Sequence, residues 1–149
     1  DTNGTNPKML KKLIDEKLID YVAMDIKAPI EKYEEVIGIS PHPSPPPQGR
    51  EGKIQTLNLC DKILKSIEIL KNSDIDYEFR TTVVKSQLST DDFVKIGEMI
   101  SGTEKYYLQK FVPTKTIDEN FMQESTYSDK EFKKIITSLN KFVNKIGIR

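Results

Sequence analysis

The sequence is poor in the side chains that most often do chemistry. It has one cysteine, Cys60, one histidine, His42, and no tryptophan among 149 residues. A single thiol excludes an internal disulfide framework and a multi-cysteine zinc site. Such cysteine usage suits a reducing cytoplasm. Neither sign of charge is in excess, since Lys+Arg and Asp+Glu both number 23. That balance argues against nucleic acid as a partner, because such binders carry a basic excess or a basic patch. No apolar run approaches the length that crosses a bilayer, and no charged-then-apolar leader opens the chain, so no membrane partner is expected. P-loop, GxGxxG and HExxH motifs are also missing.

What is present is an alternation of periods. The length is that of one domain, spanning residues 1–149. Asn6 followed by Pro7 is an N-cap with proline at the first helical position, and Met9, Leu10, Leu13, Ile14 and Leu18 recur at helical spacing. This predicts a helix over 7–17. "DYVAMDIK" (20–27) is apolar on both faces at its centre, the mark of a buried parallel strand. Pro29 opens a short helix through Val36 that Gly38 ends. A long helix is expected over about 57–72, with Cys60 on its apolar stripe as a small hydrophobe. "YEFRTTVV" (77–84) and "KYYLQKFV" (105–112) read as strands, with a helix capped by Ser89 between them. Ser128 and Glu131 form a capping box, and the stripe from Phe132 to Ile146 predicts one terminal helix. Strands alternating with helices imply right-handed βαβ units, hence an α/β fold with three parallel strands flanked by helices.

One stretch breaks the alternation. "SPHPSPPPQGREG" holds five of the eight prolines and the lone His42. Proline removes backbone donors, so an exposed Pro-rich inserted loop is expected at about 40–53. A PxxP recognition motif is the sharper alternative, but this spacing arises easily in such a composition. A histidine there is a poor general base.

The candidate site lies where the strands end. Ligands of parallel α/β sheets and barrels sit at the carboxyl ends of strands. Asp25 and Lys27 are two apart and share a face, as do Arg80 and Thr82, and Gln109 lies near the carboxyl end of the third strand. Asp1 and Thr2 belong to the same rim if they end a further strand, and Asn3-Gly4 is a turn signal leading into the first helix. Ionised groups in apolar strands are costly unless paired or liganded. Two readings stand about equal on the residues alone. One is a buried ion-pair network that binds nothing. The other is a site for an anionic or zwitterionic ligand, with Arg80 and Lys27 meeting a carboxylate and Asp25 an ammonium or hydroxyl.

Four blocks in order, "DTNGTNPKMLKKLI", "DYVAMDIKAPIEKY", "YEFRTTVV" and "YYLQKFVPTKTID", resemble the latter part of the glycyl-radical-enzyme activases of the radical S-adenosylmethionine superfamily, most of all those that activate anaerobic ribonucleoside-triphosphate reductase. The resemblance covers nearly the whole chain outside the proline stretch. It implies a partial (βα) barrel of the radical S-adenosylmethionine type, truncated at its N-terminus. The family's CxxxCxxC and Gly-Gly-Glu segments would precede Asp1, so a [4Fe–4S] cluster is not expected in this chain alone. It also implies cofactor-binding roles for Asp1, Thr2, Asn3 and Gly4 beside S-adenosylmethionine, for Asp25 and Lys27 near its carboxylate and ribose, for Arg80 facing it, and for Gln109 on the adenine side. Asp1 and Asp25 would also help hold a monovalent cation. No residue is assigned a catalytic role. Lys85-Ser86 departs from the Pro-Gly of many relatives, which leaves the turn there in doubt.

The implied partner is anaerobic ribonucleotide reductase or another glycyl radical enzyme. The implied parent reaction is reductive cleavage of S-adenosylmethionine, after which a 5′-deoxyadenosyl radical removes hydrogen from a glycine. The competing reading is a non-enzymatic α/β module, a remnant that binds a partner or nothing.

Overall fold

The computed structural model describes residues 1–38, 51–113 and 122–149, together with the backbone but not the side chains of 51–58. The Pro-rich stretch 39–50, including His42, and residues 114–121 lie outside the described residues.

Helix α1 runs Pro7–Asp15, and the Asn6 side chain accepts a hydrogen bond from the Met9 amide at 3.1 Å, as the cap signal requires. Strand β1 is Tyr21–Asp25. A short turn of 3-10 helix, Ile30–Lys32, leads into α2, Tyr33–Val36. Gly38, at φ +71°, closes it in the left-handed conformation that glycine takes at least cost. Helix α3 spans Glu51–Lys71. It begins six residues before the predicted start, so the last three residues of the expected loop are helical. Strand β2 is Asp76–Val83, α4 is Thr90–Met99, and β3 is Thr103–Lys110. Helix α5 is Asp129–Leu139, and β4 is Val143–Ile148.

The last strand corrects the sequence reading. Phe142, Val143 and Ile146 continue the helical spacing of α5, yet the helix stops at Leu139 with Asn140 as its C-cap. The reason is tertiary. The edge of β3 carries unpaired backbone groups, and β4 satisfies them in parallel register, Tyr106 beside Ile146 and Leu108 beside Ile148. Among the described residues four parallel strands therefore form the sheet, in the order β1-β2-β3-β4. Thr2 adds a parallel bridge outside β1, its amide bonding the Ala23 carbonyl and its carbonyl the Asp25 amide, each at 2.9 Å.

Sequential order in a parallel sheet, with right-handed crossovers, sends every helix to one face. The core agrees. Met24, Ile26, Phe79, Tyr106 and Leu108 point one way, into a cluster with Leu10 of α1, Ile63 and Leu70 of α3, Phe93 and Ile96 of α4, and Phe132 and Ile135 of α5. Tyr106 is fully buried, and its hydroxyl donates to Thr81 Oγ1 at 2.7 Å. The Thr81 hydroxyl in turn donates to the Ile26 carbonyl at 2.7 Å, tying three strands together. No described helix is long and apolar enough to cross a membrane.

The Ser128–Glu131 capping box forms, and Ser89 makes a second one with Asp92 at the start of α4. Ser128 Oγ accepts from the Glu131 amide and the Glu131 carboxylate accepts from the Ser128 amide, at 3.4 and 2.8 Å. Replacing Ser128 with Ala is expected to cost about 1 kcal/mol. A urea midpoint unchanged from the parent chain would show that α5 does not depend on this cap.

Candidate functional site at the open face of the sheet

The face turned away from the helices is polar. Strand register puts Ala23 beside Glu78, Asp25 beside Arg80, Arg80 beside Tyr107, Thr82 beside Gln109, and Tyr107 beside Gly147. Registered partners share a face, so Asp25, Arg80 and Gln109 stand on one surface near the carboxyl ends of three strands.

The predicted residues are distributed as follows. Asp1 reaches Arg80, with Oδ1 accepting from Nη1 at 3.2 Å. Lys27, just past β1, donates from Nζ to Asp25 Oδ2 at 2.8 Å, and both side chains are about two-fifths exposed, at 38% and 37%. Asp25 and Lys27 therefore form one pair and Asp1 and Arg80 another, side by side. Gln109 is half-buried on the same surface. Thr2 contributes mainly backbone, and its Oγ1 accepts from the Gly4 amide at 3.1 Å. Asn3 points its Oδ1 back to the Thr5 amide and hydroxyl, closing a local turn. Gly4 is buried at φ +74°, and a Cβ there would lie 2.1 Å from Met24 Cε. Its carbonyl accepts from Ser66 Oγ at 2.7 Å. Asn3 and Gly4 thus build the turn that presses residues 1–4 onto β1.

Residues that the sequence reading passed over anchor this surface. Glu78 is only 2% exposed, yet it is ionised. Arg149 grips it with two bonds, Nη1 to Oε1 at 2.5 Å and Nη2 to Oε2 at 2.9 Å. Arg80 Nε donates to the same Oε1 at 2.5 Å. The Arg149 guanidinium also lies 3.6 Å from the centroid of the Tyr107 ring, a cation–π contact. Gly147 makes that stack fit, because a Cβ there would come within 2.6 Å of the ring. Glu78 was legible in principle, since it sits two residues from Arg80 in a strand. Arg149 was not, because β4 itself was not foreseen.

Burial alone would raise the Glu78 carboxyl. Hydrogen bonds from Arg149, Tyr21 and Arg80 reverse that and hold it down, from an ordinary 4.5 to about 2. Burial and the bond to Glu78 push the Tyr21 phenol up to about 12. Since the folded value of Glu78 lies below its ordinary one, the cluster's contribution to stability is full above pH 4.5 and is lost as pH falls through 2. The shift corresponds to on the order of 3 kcal/mol. Glu78→Gln should therefore lower stability by about that much near neutral pH and flatten the acid limb of the curve. Parallel pH dependence in both proteins, followed by urea unfolding, would sink this assignment.

Other features lie apart. A cavity of about 670 Å³ between α1 and α3, lined by Ile14, Ile19, Ile69 and Ile75 among others, sits at the amino ends of the strands, opposite the polar rim. Cys60 is buried in the core on α3, and burial raises its thiol. Among the described residues no three His, Cys, Asp or Glu side chains come together as a group that would hold a metal ion.

No family model matches the sequence. Over its whole length the chain is 32% identical to a protein of Methanocaldococcus jannaschii named "Putative glycyl-radical enzyme activating enzyme". The chain spans 57% of that protein's length.

Proposed function

We propose that this chain is the S-adenosylmethionine-positioning part of a glycyl-radical enzyme activase of the radical type, and that the glycine it serves belongs to anaerobic ribonucleoside-triphosphate reductase. The observation that carries the proposal is the open sheet face, on which Asp1, Asp25, Arg80 and Gln109 stand together. The name of the archaeal relative points the same way. The face is balanced in charge, which suits a ligand carrying both an ammonium and a carboxylate. Arg80 and Lys27 are the groups to meet the carboxylate. Asp25 is the group to accept from an amine or a ribose hydroxyl, and Gln109 offers both a donor and an acceptor at the far strand.

A [4Fe–4S] cluster does not fit the residues present. Such clusters are held by several thiolates, and this chain has one cysteine, packed in its core. The electron that such a cluster supplies has no donor among these side chains. What the chain's own residues do is bind and orient.

The test is titration of isotope-labelled chain with S-adenosylmethionine, followed by amide chemical shifts. Shifts confined to residues 1–4, 25–27, 80–82 and 107–109 are expected, with affinity about tenfold weaker in Arg80→Ala, as for loss of a charge-assisted hydrogen bond. No perturbation, or perturbation only around α1 and α3, would overturn the reading. The coding DNA upstream of Asp1 offers a second check: a CxxxCxxC followed by Gly-Gly-Glu favours the activase, and its absence favours a non-enzymatic module.

A further inference from the structure

We infer that Glu78 is a positioning residue for Arg80: it occupies the Nε edge of the guanidinium and fixes the Nη edge toward Asp1 and the β1 side of the polar face. Nothing in the resemblance assigns Glu78 a part. The geometry does. Arg80 has two donor edges, and the Nε edge is spent on Glu78 Oε1 at 2.5 Å. Nη1 is thereby turned toward Asp1 Oδ1, 3.2 Å away, on the side where Asp25 stands in register. A flexible arginine loses much of its binding energy to ordering, and a pre-fixed fork does not.

Glu78 is itself held. Its two oxygens are both engaged by Arg149, which is stacked on Tyr107, so the carboxylate cannot rotate away from Arg80. A purely structural ion pair needs no such order. Arg149 already bonds both oxygens and the Tyr21 hydroxyl also donates to the carboxylate, so Glu78 keeps partners without Arg80. The additional bond from Arg80 orients a side chain that is only 19% exposed and that sits between β1 and β3 in the middle of the rim. The inference rests on the reading that this face binds S-adenosylmethionine only for its consequence in affinity. The clamp itself is measurable without ligand.

Two readouts keep these apart. The first is hydrogen exchange at Arg80 Nε–Hε in the parent chain. It is expected to be at least about tenfold slower than in a free arginine, and exchange at the free rate would overturn the clamp. The second is S-adenosylmethionine affinity in Glu78→Gln, with the amide fingerprint showing that it is folded, and in Arg80→Lys. Both are expected to bind about tenfold more weakly, because one frees the fork and the other keeps the charge but removes it. Parent-like affinity in either variant would overturn the positioning role. If Glu78→Gln does not fold, Arg80→Lys and the parent's Nε–Hε exchange still decide. If the parent chain does not respond to S-adenosylmethionine, the proposed function falls, while Nε–Hε exchange still decides the clamp.

Discussion

Reconstituted anaerobically with iron and sulfide, then given dithionite and S-adenosylmethionine, the 149-residue chain is expected to release no 5′-deoxyadenosine above a protein-free control. The expected effect is complete loss, not a slowed rate. Reductive cleavage of a sulfonium needs an electron of very low potential, and no amino-acid side chain supplies one, so the redox group must come from a cofactor. A cluster held by protein requires several thiolates at one place. Here a single thiol lies in the core, and burial keeps it protonated, the form that does not bind metal. Under the proposed function the polar face still binds S-adenosylmethionine, so weak binding without turnover is the pattern expected. Stoichiometric cluster absorbance, or 5′-deoxyadenosine above the control, would show that the chain's chemistry is more complete than its residues imply.

Phe79→Ala is expected to remove about 3–5 kcal/mol of stability, a large share of the 5–15 kcal/mol typical of a domain. Phe79 is wholly buried in β2, which has a strand on either side. Its ring points into the core that all the major helices share, and it meets Tyr77 edge-on with centroids 5.4 Å apart. Truncation removes transfer energy and leaves a cavity that a sheet, hydrogen-bonded on both sides, does not collapse to fill. Urea unfolding should show a lower midpoint with an unchanged slope. Thr82→Ser, on the exposed side of the same strand, should stay within about 0.5 kcal/mol of the parent. A Phe79→Ala loss below about 1 kcal/mol would contradict the assignment of this face to the packed core.

Much of the molecule was written locally. Asn6, Ser89 and Ser128 each cap the helix that their position announced, because a cap needs only residues within one turn. β1, β2 and β3 appeared within two residues of their expected bounds, since runs of β-branched and aromatic residues between helices have few other places to go. The same spacing put Asp25 with Lys27 and Arg80 with Thr82 on one face, because a strand's alternation is fixed by its backbone. Tertiary structure decided the rest. The stripe from Phe132 to Ile146 satisfies a helix as well as a helix plus strand, and only the open edge of β3 divides it after Leu139. That division brings Arg149, 71 residues from Glu78 in sequence, onto the polar face. Period and propensity report what a segment buries; they carry no information on which distant edge it pairs with. The Glu78 clamp depends on that pairing, so it became visible only once the fourth strand was in place.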